Sequence, residues 1–298
     1  MRSFIYKISV FSLLVLIPLI SAEVYVESLP NPSKTKHQWM RQHSRSVNTL
    51  ILGSSHTFYG VRPDKLPVSA FNLAQVAQTY RYDYYLLRHY PTDSLRNVVL
   101  PYSYFSIYED FESMPRERWN AIRYRLYMDC DIHPRISYYG FECSSINSLT
   151  EKLKSLWQPS VVSWDSLGWG TDYRLENRKE QWDNGYEAAQ YNTYNDTSLV
   201  DLNVSILDSM MTYLDRRNIQ LLMITTPLSP DFRAAQSPAQ VKRNERVLKR
   251  LLRLHPKVKY IDYSSDSVFC DSDFFDSHHL SDYGAAKLTR MLAPYLLR

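Results

Sequence analysis

Five short, mainly apolar segments recur along the body of the chain, and several of them stop at a glycine or a proline. They lie at residues 49–52, 69–73, 97–100, 220–225 and 258–262. Apolar runs of this length with β-branched members are typical of strands that are buried in a parallel sheet. The pattern therefore predicts a parallel sheet of about five strands.

Amphipathic helical patterns separate these segments. They cover about residues 76–89, 199–217 and 238–255, and a last one begins near Ser281. Strands that alternate with helices imply parallel pairing through right-handed crossovers. The sequence therefore predicts an α/β fold.

One long stretch, residues 104–199, does not alternate in this way. It carries five of the six tryptophans and several glycines, namely Trp119, Trp157, Trp164, Trp169, Trp182, Gly140, Gly168, Gly170 and Gly185. We interpret it as a cap over the carboxyl edge of the sheet, where open α/β folds bind ligands. A helical side lobe without ligand contacts is the alternative.

The first 22 residues differ from the rest of the chain. Arg2 and Lys7 precede an apolar run that ends in small residues at Ser21 and Ala22. This arrangement is typical of a secretory signal, and it nearly reaches the roughly 20 residues that an uncleaved membrane anchor needs. In both cases the body is exported to the periplasm or cell envelope. We expect residues 23–298 to form a single domain with the insertion described above.

Composition narrows the range of partners. The 35 basic and 31 acidic residues give a formal charge of +4, which provides no reason to expect a nucleic-acid partner. Aromatic residues make up 14% of the chain, and 24 of them are tyrosines. Tyrosine has a flat apolar face and a polar tip, which suit a carbohydrate surface as well as ordinary packing.

The three cysteines allow two interpretations. Cys130 and Cys143 are close enough in sequence for a disulfide in an oxidising compartment, which would leave Cys270 as a free thiol. Three buried thiols are the alternative. The sequence contains no Cys-x-x-Cys motif and no histidine-rich cluster, so it predicts no metal site.

Candidate catalytic residues lie in two parts of the chain that are distant in sequence. Ser55 follows the first predicted strand, and Gly53 permits the tight turn that raises such a serine out of the sheet. Asp276 and His279 are three positions apart, so both side chains can point at one spot. We predict that Ser55 is a nucleophile, His279 its base and Asp276 the group that orients the base. A capping serine, a capping aspartate and a surface histidine are the alternative.

These residues carry a family resemblance. Leu-Gly-Ser-Ser-His at residues 52–56, Asn72 at the end of the second strand and Asp276-x-x-His279 resemble the SGNH (GDSL-type) hydrolase superfamily. The resemblance covers residues 49–103 and 220–298. The N-terminal segment resembles the bacterial cell-envelope branch of that superfamily.

The resemblance has consequences for fold and activity. It implies a flavodoxin-like three-layer α/β/α fold, no metal or organic cofactor, and hydrolysis or transfer of acyl groups, often O-acetyl groups on glycans. By motif matching, Ser55, Asp276 and His279 take the triad positions.

The sequence also departs from the family pattern. Residues 53–55 read Gly-Ser-Ser in place of Gly-Asp-Ser, and no Gly-x-Asn-Asp motif supplies the usual oxyanion-hole asparagine. Candidate substitute donors are Asn72, the turn at Gly53, the backbone after Pro101 and the backbone around Gly168, Trp169 and Gly170.

Two further histidines adjoin the predicted triad. His278 precedes the chosen base and competes with it, but His279 has the spacing of the motif. His56 follows the nucleophile, and we expect it to be structural and to face away from the site.

Two functions follow from these observations. The first is an exported esterase or acyltransferase that acts on a carbohydrate or acylated glycan and contacts the membrane through an uncleaved N-terminal segment. The second is a non-catalytic glycan-binding or assembly protein that keeps the fold while its oxyanion hole has decayed. A lipid ester is a third possible substrate, although no long apolar stretch outside the N-terminus indicates a fatty-acyl channel.

Overall fold

The computed structural model describes residues 2–111, 114, 120–130, 132, 140–144, 146–154 and 163–296. The chain forms two compact units. The first comprises residues 1–37 and 116–161, and the second comprises residues 38–115 and 162–298. Residues 104–199, predicted as one insertion, are thus divided between both units. Trp119 and Trp157 lie outside the described residues.

Five strands form one parallel sheet in the second unit. They are β1 (Thr49–Ile51), β2 (Ala70–Asn72), β3 (Asn97–Pro101), β4 (Gln220–Thr225) and β5 (Lys259–Asp262). Their order is β2-β1-β3-β4-β5, and every neighbouring pair is parallel. This is the flavodoxin-like order, which places a ligand crevice at the carboxyl ends of β1 and β3. The predicted fold class is therefore confirmed, and each predicted strand lies within one residue of an observed one.

The described helices are α1 (Arg2–Ser28), α2 (Pro32–His43), α3 (Ser55–Gly60), α4 (Tyr80–His89), α5 (Asn120–Met128), α6 (Ile146–Lys154), α7 (Gly185–Tyr191), α8 (Val200–Arg216), α9 (Pro230–Ala235), α10 (Pro238–Leu254) and α11 (Asp282–Leu292). Three of the predicted helices match α8, α10 and α11 closely, because amphipathic patterns that cover a sheet are strongly periodic. The predicted helix at 76–89 begins four residues later, at Tyr80, after a turn.

Alternate side chains of the strands cover both faces of the sheet. Ile51, Val99 and Leu222 point to one face and pack in a cluster with Leu288 and Leu292 of α11. Because side-chain direction alternates along a strand, neighbours such as Leu50, Val98 and Leu221 point to the other face, and all three are buried. Burial on both faces explains why the strands appear in the sequence as apolar runs.

The first unit consists of helices among its described residues. Of all described helices, α1 alone is long and apolar enough to cross a membrane, with a mean hydropathy of 2.1 over its most apolar 18-residue window. None of that window is buried. The segment can therefore act as a secretory signal or as an anchor.

None of the three cysteines forms a disulfide in this structure. Cys130 is buried, Cys143 is partly buried and Cys270 is exposed. The disulfide between Cys130 and Cys143 is not formed. The alternative of three buried thiols is also wrong for Cys270.

Candidate active site

The turn between β1 and α3 presents Ser55 at the carboxyl end of the sheet. Gly53 has φ of +107°, and a Cβ at this position would lie 2.2 Å from Cδ of Pro101. Only glycine fits both the backbone conformation and this close approach. Ser54 is the N-cap residue of α3, so Ser55 opens the helix. The strand, the glycine and the helix start together fix the direction of the Ser55 side chain.

Ser55, His279 and Asp276 meet in one hydrogen-bonded line. Oγ of Ser55 lies 2.8 Å from Nε2 of His279. On the other side of the imidazole, Nδ1 lies 2.9 Å from Oδ2 and 3.0 Å from Oδ1 of Asp276. A proton on Nδ1 satisfies both contacts, because Nδ1–H then donates to the carboxylate and Nε2 accepts from the serine hydroxyl. The structure thus brings together the three residues to which the sequence analysis assigned the triad roles.

The loop that carries Asp276 and His279 is held by its own backbone. The N–H groups of His278 and His279 donate to Oδ1 of Asp276 at 3.0 and 2.9 Å, and the N–H of Phe275 donates to the carbonyl of His279 at 2.9 Å. Burial by itself would raise the pKa of Asp276, but the adjacent imidazoles and these N–H donors lower it well below its usual range. Asp276 is therefore a carboxylate at physiological pH.

Residues of the predicted insertion support the same loop. Oγ of Ser277 donates to the side-chain oxygen of Asn184 at 2.9 Å. The N–H of Ser229 donates to the carbonyl of Ser277 at 2.9 Å, and the Ser229 hydroxyl donates to Asp183 at 2.9 Å. The part of the insertion around residue 184 therefore positions the loop that carries His279.

His278 has a different environment from His279. Its ring stacks on Phe232 with centroids 5.3 Å apart, and its Nδ1 lies 3.3 Å from Oδ1 of Asp276. Burial, assisted by the neighbouring His279 and opposed by Asp276, lowers the pKa of His278 to about 3. His278 is thus a neutral packing residue, and the base that contacts the serine is His279.

The expectation that His56 faces away from the site is wrong. Its ring is edge-on to that of His279, with centroids 5.1 Å apart, because α3 begins at Ser55 and turns the next side chain inward under the site. Nδ1 of His56 lies 2.6 Å from Oγ of Ser103. Burial, followed by the nearby His279 and His278, lowers the pKa of His56 well below its usual range. The imidazole is therefore neutral at physiological pH.

The three histidines form the one group near the triad, among the described residues, that could hold a metal ion. One ring nitrogen from each of His56, His278 and His279 lies within 4.8 Å of the others, and three imidazoles suit Zn²⁺. Both nitrogens of His279 already contact Ser55 and Asp276. An ion held by all three rings would have to displace the serine hydroxyl from His279. Local sequence spacing did not indicate this grouping, because tertiary folding creates it.

Asn72 does not serve as the predicted oxyanion donor. Its side-chain NH₂ donates to the carbonyls of Thr57 and Val61 at 2.8 and 2.9 Å, and its side-chain oxygen accepts the N–H of Ala74. The side chain is completely buried. Asn72 therefore ties the end of α3 to the sheet, and no donor remains for a substrate.

The glycine-rich loop at residues 168–170 is also engaged elsewhere. The N–H groups of Gly168 and Trp169 donate to Asp165, and that of Gly170 donates to the carbonyl of Phe58. The indole N–H of Trp169 donates to the carbonyl of Tyr59 at 2.7 Å. The first two donors close the loop on itself and the other two fix it against α3, so their predicted role in an oxyanion hole is wrong.

The Gly53 N–H is likewise occupied, because it donates to Oδ1 of Asp83 at 2.7 Å. A donor that remains available in this turn is the backbone N–H of Ser55 itself, which has no acceptor within the part of the chain that the structure describes. A first-turn helix N–H of this kind is free to meet a developing negative charge.

Sequence reasoning missed a row of aromatic rings beside the triad. Tyr173 stacks between Tyr59 and Phe275, with centroid distances of 3.8 and 4.1 Å. The Tyr173 ring is edge-on to His279 at 5.3 Å. The high tyrosine content was the only signal in the sequence, and it did not distinguish these rings from others.

Comparisons with known proteins add only a general likeness. No protein-family model matches the sequence, and no curated protein matches it. Solved structures with a similar course of the chain include a proposed platelet activating factor from Streptococcus pneumonia, with 10% identity, a TM-score of 0.47, and coverage of 97% of this chain and 99% of that chain. A proposed acylhydrolase from Bacteroides fragilis has 12% identity, a TM-score of 0.39, and coverage of 92% and 94%. A GDSL-like lipase from Bacteroides thetaiotaomicron has 10% identity, a TM-score of 0.41, and coverage of 89% and 99%.

At these identities and TM-scores, the likeness carries no argument about activity or about individual residues. Function is therefore inferred from the sheet order and from the geometry around Ser55.

Proposed function

We propose that this chain is an exported SGNH-type serine esterase or O-acyltransferase that acts on O-acyl groups, O-acetyl above all, of a cell-surface or secreted polysaccharide. The line from Ser55 through His279 to Asp276, with contacts of 2.8 and 2.9 Å, carries the proposal. Such a line, at the carboxyl end of a parallel sheet, is the arrangement that activates a serine hydroxyl.

The first half-reaction transfers the acyl group to the enzyme. His279 Nε2 takes the hydroxyl proton of Ser55 while Oγ bonds to the ester carbon, and Asp276 stabilises the resulting imidazolium. The negative charge on the carbonyl oxygen is met by the Ser55 N–H. The tetrahedral species then expels the alcohol oxygen, which takes its proton from His279 Nε2.

The second half-reaction releases the acyl group. Water or a sugar hydroxyl gives its proton to His279 and attacks the acyl-Ser55 ester, and the proton then returns to Ser55 Oγ. Water yields hydrolysis, and a sugar hydroxyl yields transfer. Both outcomes use the same three side chains.

The stacked rings of Tyr59, Tyr173 and Phe275 support a carbohydrate or small acyl group as the neighbour of the triad. Tyr173 and Phe275 are only partly buried. Partly exposed aromatic side chains offer apolar contact to a sugar ring or a small acyl group.

The N-terminal helix supports export, and its unbroken course from Arg2 through Ala22 to Ser28 favours an anchor that remains uncleaved. The Glu23 carboxylate accepts the N–H groups of Glu142 and Cys143 at 2.6 and 2.9 Å, and the Val26 carbonyl accepts Nζ of Lys152 at 3.1 Å. These contacts hold the helix beyond Ala22 within the first unit. Intact-mass analysis of the membrane fraction should find the N-terminal segment, whereas a mature chain starting at Glu23 would show cleavage.

Activity can be tested on the detergent-solubilised full chain with a chromogenic acetate ester, alone and with an oligosaccharide acceptor. We expect turnover and covalent labelling by a serine-directed phosphonate, and both should be lost in Ser55→Ala. Release of acetate alone would indicate hydrolysis, and acetylated sugar would indicate transfer. Absence of both turnover and labelling in the folded parent chain would overturn the proposal.

A non-catalytic glycan-binding protein is the second candidate. The observation that favours it is the engagement of Gly53, Asn72 and Gly170 in other hydrogen bonds, which removes all three as donors to the oxyanion. Loss of a single oxyanion donor typically costs about 100- to 1000-fold in turnover. Glycan binding that is unchanged in Ser55→Ala, together with an inactive parent, would support this candidate.

A further inference from the structure

A second buried carboxylate lies on the other side of the nucleophile turn. Asp83 in the first turn of α4 is completely buried, and its Oδ1 accepts the N–H of Gly53 at 2.7 Å and Nε2 of Gln78 at 2.5 Å. Asp83 therefore holds the glycine that sets the direction of Ser55. The other carboxylate oxygen, Oδ2, is buried and has no hydrogen-bond partner among the described residues.

Two hydroxyl groups nearby, those of Ser54 and Thr79, also lack a hydrogen-bond partner among the described residues. Ser54 is the N-cap of α3 and Thr79 is the N-cap of α4, yet neither side chain caps its helix. Both hydroxyls are buried without a partner within the described part of the chain. N-cap hydroxyls normally accept a first-turn N–H. Because these two do not, both remain available to hydrogen-bond another group.

The three residues with unpartnered oxygens line the same cavity. Ser54, Thr79 and Asp83 border a space of about 10 Å³ behind the nucleophile turn, together with Gly53 and Gln78. A volume of this size holds about one water molecule, and a buried water needs two to four polar partners. Three unpartnered oxygens around one such space meet both conditions.

We propose that one water molecule binds between Ser54 Oγ, Thr79 Oγ1 and Asp83 Oδ2, and that Asp83 is a positioning residue for the nucleophile turn. The kinetic part of this inference rests on the proposed esterase activity. The water donates to Asp83 and to one hydroxyl, and it accepts from the other. It thereby links the N-cap of α3 to that of α4 across the back of Ser55.

Other charged groups around the cavity are few. The remaining titratable residues that line it are Tyr80 and Glu109. The Tyr80 hydroxyl donates to the carbonyl of Pro101 at 2.9 Å, and Glu109 accepts the hydroxyl of Tyr194 at 2.6 Å. No basic side chain is among the described lining residues, so a neutral ligand that donates two hydrogen bonds fits better than an anion.

The water itself is tested by a crystal structure of the full chain at high resolution. We expect a density peak within 3.2 Å of all three oxygens, a distance typical of hydrogen bonds. Direct contacts between the three oxygens, or a coordinated metal ion at the position, would overturn the water site. This measurement does not depend on whether the protein is an enzyme.

The positioning role is tested with four variants of the full chain. Asp83→Leu removes the acceptor for Gly53, and we expect kcat to fall about 10- to 100-fold with KM changed less than about threefold, since turnover depends on nucleophile alignment. Asp83→Asn keeps an acceptor oxygen and should keep kcat within about fivefold of the parent value.

Thr79→Val removes one partner of the water molecule and should lower kcat about three- to tenfold. Thr92→Val is the matched control, because the Thr92 hydroxyl is equally buried and unpartnered among the described residues but does not line the cavity, and its kcat should be unchanged.

Rates are expressed per active site titrated with phosphonate, so that partial unfolding does not imitate a loss of kcat. An unchanged kcat in Asp83→Leu, or equal losses in Thr79→Val and Thr92→Val, would overturn the positioning role. A parent chain without turnover or labelling would instead overturn the proposed function, and the crystallographic test of the water would still stand.

Discussion

Two carboxylates flank the nucleophile turn, and their surroundings are opposite. On the front, Asp276 contacts His279 and accepts two backbone N–H groups, and its pKa is held well below the usual range. On the back, Asp83 accepts hydrogen bonds from the neutral Gln78 and Gly53 among the described residues, and burial raises its pKa to about 7 despite these two bonds. The front carboxylate keeps its charge and serves proton transfer. The back carboxylate serves geometry, for which charge is not required.

The difference also gives opposite dependences of stability on pH. Asp276 has a lowered pKa in the folded chain, so its contribution to stability is present at neutral pH and is lost as the pH falls below about 4. Asp83 has a raised pKa, so stability is greatest below about pH 4 and is lost as the pH rises toward 7. The two sides of one turn therefore respond to acid in opposite directions.

The largest loss of activity should come from removing His279, the proposed base. His279→Ala should lower kcat/KM for a chromogenic ester by about 10⁴-fold or more, because the hydroxyl of Ser55 loses its proton acceptor. His278→Ala should keep at least about a tenth of the activity, since that ring packs beside His279 and Phe232 and does not contact Ser55 within the described hydrogen bonds. The reverse order would show that the assignment of the base is wrong.

Neutralising the front carboxylate should have the next largest effect. Asp276→Asn keeps the size of the side chain but favours the wrong tautomer of His279, and we expect kcat to fall about 10³- to 10⁴-fold. Phosphonate labelling kinetics should slow in parallel. A loss of less than tenfold would mean that His279 needs no carboxylate for its orientation.

A substitution at Gly53, in the turn between the two carboxylates, should lower the stability of the protein. In Gly53→Ala the added Cβ would lie 2.2 Å from Pro101 Cδ at a φ of +107°, so we expect the free energy of unfolding to fall by roughly 2–4 kcal/mol. Denaturant titration measures this change. Gly140→Ala is a suitable control, because a Cβ there meets no atom within 4 Å.

The smallest effect should come from neutralising the back carboxylate. Asp83→Asn removes a group that the folded chain holds protonated up to about pH 7, so the variant should gain stability relative to the parent as the pH rises. The gain should reach about 2 kcal/mol between pH 5 and pH 8 and should vanish near pH 4. Chemical denaturation at these pH values provides the measurement. An equal difference at all pH values would show that Asp83 titrates normally.

The sequence by itself determined the α/β architecture and the choice of Ser55, His279 and Asp276, which the structure brings into one hydrogen-bonded line. Buried parallel strands appear in the sequence as apolar runs, and amphipathic helices appear as apolar residues at helical spacing. A serine directly after a strand and an Asp-x-x-His motif near the end of the chain indicate a serine, histidine and aspartate that act together. Each of these signals is local in the sequence. For the same reason the strand limits agreed with the structure to within one residue.

Only the tertiary structure decided where the polar groups find their partners. Asn72 and Gly170 looked available as oxyanion donors, but the carbonyl of Thr57 accepts the Asn72 amide and the carbonyl of Phe58 accepts the Gly170 N–H. Asp83 gave no sign of contact with Gly53, and His56 gave no sign that it faces His279. Hydrogen bonds of this kind depend on the packing of elements from different parts of the chain, and that packing sets distance and direction where sequence spacing does not.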